Sequence, residues 1–509
     1  MATLHNRFAR RFSGFLALCA GAIVPLSHMQ IAASQQQPSP RPTDIAQSVP
    51  NVTPQPPGSV QGTQVPEYLN PSSNPLLFPT RPEEVRVQTV QPITLQQALA
   101  LARRNNRTLQ TAILTLERSQ AAVREAQAAR YPTGSLDTQL SRTDSPNAQL
   151  SNQRQPSQLR QGTVTTSLNG TLGVNYGLYT SGLRAARIRA AEEQLRFDQL
   201  DVERQSQQIS LDITNAYYDL QQADAQVDIA QAALRDAERS LRDAQLLERA
   251  GLGTQFDVLQ SQVQVANANQ DLTTAISQQS IARRRLAQLL SLSQTVGVTA
   301  ADPIGVAGSW TLPLEDTIIL ALRNRAELEQ QLARRNLSEQ QQRVALASVR
   351  PQVNLFANYN ALDLFNDNLG AAGGLALGAN LTWNFFDGGA ARARADQERA
   401  NQAIAETQFA DIRNQIRLQV EQAYFNLNAS QRNIQTSGVA QQQATRSLEL
   451  ARLRFNAGVG TQTDVINAQT ELTRARGNQL RAIIDYNRQL ATIQRAVSNL
   501  PPGNLFGTR

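Results

Sequence analysis

The strongest constraint on this chain is that it contains nearly the same stretch twice. The segment that begins at Ala250 reads AGLGTQFDVLQSQ, and the segment that begins at Ala457 reads AGVGTQTDVINAQ, so eight of the thirteen letters are identical. Other landmarks recur in the same order, such as AYYDL at 216–220 and AYFNL at 423–427. A long internal repeat predicts two similar structural units, which we place at residues 93–291 and 313–497.

Each copy contains a stretch that favours a very long helix. No proline occurs inside the stretches 157–302 and 352–500, and proline costs about 3 kcal/mol in a helix interior. A helix of about 68 residues in each copy would be about 100 Å long. The predicted helices begin near residues of types that cap helices. These starts and the corresponding ends are Ser181 and Arg249 in the first copy, and Asp387 and Asn456 in the second.

Residues spaced by seven predict that the long helices pack as coiled-coil hairpins. In the first copy, large residues form one line and alanines form a second line three positions further on. This is an a/d heptad, and after the glycine turn it resumes with Gln279 as its one polar break. The two lines are Leu220, Val227, Leu234 and Leu241, and Ala223, Ala230, Ala237 and Ala244.

Between the helices of each copy, the sequence alternates with a period of two. Apolar and polar residues alternate through 163–179 and 375–385, which predicts strands with one apolar and one polar face. A shorter strand precedes each of them, at 353–359 and, more weakly, at 135–142. Each copy is therefore expected to run helix, strand, loop, strand, very long helix, turn, helix, which is an α+β fold.

The length and the aromatic ends of these strands resemble those of transmembrane β-strands. A soluble antiparallel sheet with one wet face is the alternative. Four strands cannot close a barrel, and open edges are forbidden in lipid, so three chains would have to share one barrel of twelve strands. The aromatic residues expected at the membrane interface are Tyr176, Tyr179, Trp383, Phe385 and Phe386.

The first 34 residues resemble a signal peptide, because arginines precede the apolar run 12–26 and small residues follow it. A retained anchor and lipid modification of Cys19 are the alternatives. Residues 35–92 hold 13 of the 22 prolines and read as a Pro/Gln-rich disordered linker. We assign 292–312 as a linker between the copies and 498–509 as a tail.

Composition argues against an enzyme. The single Cys and both His residues lie within the first thirty positions, so a chain cleaved after them has no thiol, imidazole or His/Cys metal site. There is no Gly-rich phosphate loop and no marked pair of carboxylates. We therefore expect no catalytic residue, cofactor or metal.

The charge of the chain does not indicate a nucleic-acid partner. All 48 basic residues are arginine, and the net charge is +7, which by itself would permit binding to nucleic acid. The arginines are interspersed with acids, as in RDAERSLRDAQLLER at 235–249. That pattern is typical of solvated helix faces.

The repeated turns have a plain structural explanation. Glycine can end a helix by adopting a positive φ, and threonine can cap the next helix with an Asp three residues later. These residues are Gly251, Gly253, Thr254 and Asp257 in the first copy, and Gly458, Gly460, Thr461 and Asp464 in the second.

The chain resembles the TolC-like outer-membrane efflux protein family in several features together. These are the duplication, the strand pairs, the glycine turns and the two strand-to-helix junctions, YTSG (with Ser181 and Gly182) and FDGG (with Asp387 and Gly388). The resemblance implies a homotrimer in the outer membrane of a diderm bacterium, with a twelve-stranded barrel continuous with an α-helical periplasmic tunnel. It also implies a passive exit duct for efflux or type I secretion. The implied partners are a periplasmic adaptor, an inner-membrane transporter of ABC, RND or similar class, and outer-membrane lipid.

The resemblance also implies a role for the turns. In the family, aspartates at the position of Asp464 line the narrowest constriction of the pore, so Asp257, Asp464 and Asn467 are the candidate constriction residues. This chain departs from the family where Asn467 replaces a second Asp, where Gly460 replaces a gate-locking Arg and where Phe455 replaces a Tyr. We therefore expect the tip to be held by contacts weaker than an ionic lock.

Two other functions fit parts of the sequence. A periplasmic coiled-coil adaptor without a pore would explain the heptads, but not two equal copies with membrane-like strands. A basic nucleic-acid-binding coiled coil would explain the net charge, but not the signal peptide.

Overall fold

The computed structural model describes residues 76, 78–154, 156, 162–365 and 370–498. The predicted signal peptide, most of the predicted linker 35–92 and all but the first residue of the predicted tail lie outside them. The chain divides into two compact units. The sheet unit includes 129–181 and 351–383, and the helical unit contains the other described residues.

The described residues form nine helices and six strands, besides one short 3-10 turn. The strands are β1 (Thr89–Ile93), β2 (Thr133–Asp144), β3 (Val164–Tyr179), β4 (Val296–Ala300), β5 (Gln352–Leu364) and β6 (Ala372–Thr382). The helices are α1 (Leu95–Asn105), α2 (Arg107–Ala128), α3 (Pro146–Arg154), α4 (Leu183–Arg249), α5 (Gln255–Leu289), α6 (Leu314–Asn324), α7 (Ala326–Ala347), α8 (Ala390–Asn456) and α9 (Gln462–Ala496).

The helical unit contains two matching helical hairpins. Hairpin one consists of α4 and α5, and hairpin two consists of α8 and α9. Both long helices have 67 residues and both return helices have 35, so each long helix is about 100 Å in length. They end at Arg249 and Asn456, as predicted. Among the described helices, none is both long and apolar enough to cross a bilayer.

The heptad lines form the seams of the hairpins. Leu220, Val227, Ala230 and Ala237 are buried between α4 and its neighbours, as the a/d pattern predicts. The polar break has a partner, because the Gln279 side chain donates to the Asp224 carboxylate over 2.8 Å. Asp224 also accepts hydrogen bonds from Arg283 on α5 and from Thr299 on β4. The break therefore fixes where the hairpin meets β4.

The single helix predicted before each strand pair is two helices. α1 ends at Asn105, and the backbone of its C-cap residue Asn106 leaves the helical region with ψ at 123°. The Asn106 amide group donates to the Leu289 carbonyl over 2.9 Å, and its oxygen accepts from the Leu109 N–H. Arg325 breaks the second copy in the same way, with ψ at 121°. An interruption of the helix at Asn106 is tolerated because the polar groups that lose helical hydrogen bonds there find other partners.

The sheet unit is one antiparallel sheet with strand order β2-β3-β5-β6. Its register places Leu172 opposite Leu136 on one side and Tyr359 on the other, and Tyr359 opposite Leu375. Because facing residues lie on the same side of a sheet, these side chains form one apolar face across all four strands. The opposite face carries Asn175 and the other odd-numbered polar residues of β3, next to Phe356 and Leu362 of β5.

The strand bounds differ in detail from the predictions. β2 and β5 are longer than expected, at 12 and 13 residues. β6 begins and ends three residues earlier than predicted, so Trp383 and Phe385 follow the strand rather than belong to it. The alternation of apolar and polar residues continues past Thr382, but the ladder to β5 stops there because β5 begins at Gln352.

A pairing that the sequence did not indicate lies in the two predicted linkers. β1 and β4 form a parallel two-stranded sheet, with Thr89 opposite Val296 and Ile93 opposite Ala300. The end of the stretch 35–92 and the start of the stretch 292–312 are therefore strands, contrary to the linker assignment. Val298 is fully buried in β4, so this small sheet belongs to the core of the helical unit.

A buried cluster of charged residues connects the start of α7 with the end of α9. Glu327 on α7 accepts hydrogen bonds from Arg325 over 2.7 Å and from Arg495 over 2.8 Å. Burial acts to raise the pKa of Glu327, but the hydrogen bonds from the two arginines outweigh it and lower the pKa to about 2. The carboxylate is therefore charged in the folded protein at any pH above that value.

Glu327→Gln is expected to destabilise the folded protein by about 3 kcal/mol at pH 7, because it leaves two buried guanidinium groups without a counter-charge. The measurement is thermal or denaturant unfolding of the purified protein. Because the pKa of Glu327 in the folded protein lies below the ordinary glutamate value of 4.5, its contribution to stability is fully present above pH 4.5 and is lost as the pH falls through about 2.

The matched control is Glu339→Gln, which breaks an exposed i,i+4 pair with Arg343 on the same helix and should change stability by less than about 1 kcal/mol. Equal losses in the two variants would contradict the role assigned to Glu327.

Candidate functional site: the two helical turns

Both repeated turns end a long helix with the same backbone geometry. Gly251 and Gly458 adopt φ values of 72° and 73°, in the left-handed region that favours glycine. The N–H of Leu252 donates to the carbonyl of Leu247 over 2.9 Å, and the second copy has the matching bond at 3.0 Å. This six-to-one bond is a Schellman motif, which satisfies carbonyls at the end of the helix.

The second glycine of each turn is required for close approach rather than for a positive φ. A Cβ at Gly460 would lie 3.0 Å from the Phe455 backbone nitrogen and 3.1 Å from the Arg454 carbonyl carbon. A Cβ at Gly253 would lie 3.2 Å from the Glu248 backbone nitrogen. The turn therefore folds back against the helix end, and a side chain at position 460 would displace the backbone.

Both return helices begin with the predicted capping box. The Thr254 side chain accepts from the Asp257 N–H over 3.2 Å, and the Asp257 carboxylate accepts from the Thr254 N–H over 3.1 Å. Thr461 and Asp464 form the same pair of bonds at 3.1 and 3.0 Å. The capping explanation of the two aspartates is thus confirmed in full.

The aspartate of the second copy also carries an accessible charge. Hydrogen bonds from the Thr461 backbone and side chain, together with the positive charge of Arg454, lower the pKa of the Asp464 carboxyl. Asp464 and Asn467 are both exposed, one turn apart on α9, whereas Asp257 is half-buried. The two candidate constriction residues on α9 can therefore make interactions other than those of the capping box.

The two turns are joined by polar contacts that no sequence pattern marks. The Gln462 amide donates to the Ser261 hydroxyl over 3.0 Å, and Thr463 and Gln260 are hydrogen-bonded at 3.1 Å. These bonds connect the start of α9 with the start of α5. The structure thus brings the Asp257 and Asp464 turns together within one chain.

A second set of contacts joins the hairpins further along the long helices. The Arg452 guanidinium on α8 contacts the Asp236 carboxylate on α4 at 2.8 Å. The Gln469 amide on α9 donates to the Ser240 hydroxyl on α4 over 2.7 Å. We call these two contacts, with the Gln462–Ser261 bond, the hairpin tethers.

The strand-to-helix junctions differ from the prediction. The N-cap residues of α4 and α8 are Gly182 and Gly389, with φ values of 87° and 86°, rather than Ser181 and Asp387. Ser181 has a φ of 49° and donates its hydroxyl to the Pro351 carbonyl. The Asp387 carboxylate still accepts from the Ala391 N–H over 2.7 Å. In both junctions a glycine with a positive φ is the N-cap residue, and the polar residue lies one or two positions before it.

Gly388 lies inside the second junction, with a φ of 68°, so two successive glycines there, Gly388 and Gly389, adopt a positive φ. The predicted interface aromatics are mostly exposed in the single chain. The exposed fractions are 57% for Tyr179 and Trp383, 81% for Phe385 and 80% for Phe386, while Tyr176 is half-buried on β3.

Gly458→Val is expected to loosen the second turn, because a β-branched residue at a φ of 73° is strained by about 1–2 kcal/mol. The expected result is about 5- to 30-fold faster tryptic cleavage after Arg454, which borders the turn. Limited proteolysis of the purified protein measures this. Val459→Ala, at the exposed neighbouring position, is the control, and equal cleavage of both variants would contradict the role of Gly458.

Comparisons with known proteins agree with this architecture. Protein CyaE of Bordetella pertussis is 27% identical over 308 residues, which cover 59% of this chain and 64% of CyaE. The matched stretch therefore spans less than two thirds of that relative.

Solved structures share the fold. The outer membrane protein VceC of Vibrio cholerae aligns with a TM-score of 0.66 at 21% identity, over 79% of this chain and 95% of VceC. The CmeC outer membrane channel of Campylobacter jejuni aligns with a TM-score of 0.68 at 15% identity, over 84% of this chain and 94% of CmeC.

The family model described as outer membrane efflux protein matches residues 98–291 and 317–499. Each of these segments overlaps one of the two copies inferred from the internal repeat, at 93–291 and 313–497. Together they make up well over half of the chain, and the protein belongs to the outer membrane efflux protein family.

Proposed function

We propose that this protein is a passive exit duct of the outer membrane, formed by three copies whose sheets close a twelve-stranded barrel and whose hairpins build a periplasmic tunnel. Efflux or type I secretion through it would draw energy from an inner-membrane transporter, coupled by a periplasmic adaptor. Membership of the family and the shared fold support this proposal.

The observation that carries the proposal is the apolar face of the sheet. Leu136 on β2 is 63% exposed, and Leu375, Leu377 and Leu381 on β6 are 67%, 70% and 64% exposed. β2 and β6 are also the edges of the sheet within the described residues. Lipid against the apolar face and further copies at both edges would satisfy these two features together.

Leu377→Arg tests this directly, because a charge on a lipid-facing strand position costs about 2–4 kcal/mol at the membrane midplane. The expected result is loss of a heat-modifiable trimer from the outer-membrane fraction. The measurement is cell fractionation followed by a gel with heated and unheated samples.

Ala376→Arg is the matched control, since it adds the same charge one residue earlier, on the opposite and exposed face of β6. Under the proposal it leaves the trimer in place, because that face borders water. A periplasmic adaptor without a pore would tolerate both substitutions, so equal behaviour of the two variants would contradict a membrane barrel.

A further inference from the structure

The first two turns of both long helices carry arginines where helices usually favour acids. Arg187 and Arg189 lie near the start of α4, and Arg392 and Arg394 near the start of α8. Neither helix has an acidic residue in its first turn. The helix dipole is positive at this end, so it favours an external anion beside a cation of the first turn such as Arg392.

The four arginines are exposed, and none has an anionic partner among the residues that the structure describes. None of them makes an ion pair or a side-chain hydrogen bond with any residue in the described part of the protein. This contrasts with arginines further along, such as Arg399, which pairs with Asp396. Two exposed guanidinium groups therefore give each long helix a basic patch near its start, and we call these two patches together the basic surface.

The arginines lie on both sides of the buried face of each long helix. On α4 the buried residue at this point is Ile188, and on α8 the buried residues are Ala391 and Ala395. At 100° per residue, Arg187 and Arg189 lie on opposite sides of Ile188. Arg392 and Arg394 lie on opposite sides of the alanine stripe in the same way. Each long helix therefore has an arginine on either side of its buried face, and one of them can face lipid whichever side does so.

Apolar aromatic residues lie next to this basic surface along the chain. Phe385 and Phe386 are 81% and 80% exposed, and they stand between the end of β6 and the first turn of α8. Exposed aromatic rings followed by basic side chains are typical of a membrane–water interface, where rings enter the headgroup region and guanidinium groups meet phosphates.

We infer that Arg187, Arg189, Arg392 and Arg394 form a binding surface for the phosphate groups of anionic phospholipids in the periplasmic leaflet. The inference rests on the proposed membrane role of the sheet. Guanidinium groups bind phosphate oxygens through two parallel hydrogen bonds, and the exposed flank of each helix leaves both donors free. Such a surface would fix the height at which the helical unit leaves the membrane.

The test is native mass spectrometry of the purified full chain in detergent, with equal amounts of phosphatidylglycerol and phosphatidylethanolamine. The wild type is expected to retain phosphatidylglycerol preferentially, and R187Q/R189Q/R392Q/R394Q is expected to lose at least about tenfold of that preference. The control R235Q/R239Q/R432Q/R446Q removes four exposed arginines from the same two helices and should keep the preference.

Two double variants, R187Q/R394Q and R189Q/R392Q, separate the flanks, and the loss is expected from the pair that faces lipid. If the fourfold variant does not fold, the wild type alone still tests the inference. Its preference should fall as ionic strength rises from about 0.01 M to 0.15 M and the Debye length shortens.

A preference retained by the fourfold variant, lost equally by its control or insensitive to salt would overturn the inference. Displacement of the lipid by glycerol phosphate at equal concentration would also overturn it, because the surface would then bind free anions. The outcome is separate from that of the proposed function. A folded variant that loses the lipid preference but conducts ions supports both, and conduction with unchanged lipid binding removes only this inference.

Discussion

R452A/Q469A is expected to shift the tunnel tip toward its open form and to raise the mean conductance of single channels. The two substitutions remove the Arg452–Asp236 and Gln469–Ser240 tethers, which join α4 to hairpin two. The Arg452 and Asp236 side chains are only 35% and 30% exposed. Losing both contacts should cost about 1–2 kcal/mol, which changes the ratio of open to closed tips by about 5- to 30-fold.

This expectation follows from how the hairpins are held. Within the described residues, the tethers cross from one copy of the repeat to the other, whereas the heptad seams act within each hairpin. Breaking the tethers therefore weakens the hold between hairpins while both hairpins keep their cores. Near the two turns, this hold includes the half-buried Arg452–Asp236 ion pair and the amide–hydroxyl bonds of Gln469 and Gln462.

Arg474→Ala is the matched control, since its exposed ion pair with Glu471 lies entirely on α9 and is worth little. It should leave the conductance unchanged. A double-mutant cycle of Arg452→Ala with Asp236→Ala would measure the coupling directly. If R452A/Q469A forms folded trimers with wild-type conductance, the tethers do not hold the tip.

D257N/D464N is expected to weaken block of the channel by Mg²⁺ by about tenfold, if the aspartates form a charged ring in the assembled trimer. The Asn side chains remove the charge but keep an oxygen that can accept the N–H bonds of Thr254 and Thr461. D257A/D464A removes the charge and also the carboxylate half of each capping box, while the Thr254 and Thr461 side chains can still accept from the N–H groups of residues 257 and 464. Block is measured in planar bilayers with Mg²⁺ added on the tip side.

The two variants separate the capping role from the pore role. The Ala variant should unfold at a lower temperature, because the N–H groups of Thr254 and Thr461 lose their carboxylate acceptors, whereas the Asn variant should lose less. Both variants should lose cation block to a similar extent. Unchanged block in both, with a lower melting temperature only for the Ala variant, would leave the aspartates as helix caps alone.

The block should also persist under mildly acidic conditions. Hydrogen bonds from Thr461 lower the pKa of Asp464 below the ordinary aspartate value of 3.8, so the carboxylate stays mostly charged as the pH falls to that value. Its contribution to the cap is present above pH 3.8 and is lost only as the pH falls through the lower folded value.

The helical hairpins were predictable because their information is local. Lines of residues spaced by seven define the seam, the absence of proline sets its length, and the capping box marks where α5 and α9 begin. The ends at Arg249 and Asn456 and the Asp257 and Asp464 caps were found in this way. Each helix end and each capping box depends on residues within two helical turns of one another, so it can be predicted without knowledge of tertiary contacts.

The remaining features depend on contacts between distant parts of the chain. β4 looks like a linker because its partner β1 lies some two hundred residues earlier. The break at Asn106 is stabilised by the Leu289 carbonyl, which no local pattern reveals. The N-caps were misplaced by one or two residues because a left-handed glycine follows the polar residue. The hairpin tethers are polar side chains outside the heptad lines and have no sequence signature.

The central claim is that three copies of this chain enclose a conducting duct. The most direct test is single-channel recording of the purified full-length protein in planar lipid bilayers. The account predicts discrete, long-lived conductance steps, which increase in R452A/Q469A and disappear with Leu377→Arg. Folded, trimeric protein that inserts into the bilayer but produces no conductance steps, in the wild type and in the tether variant alike, would contradict it.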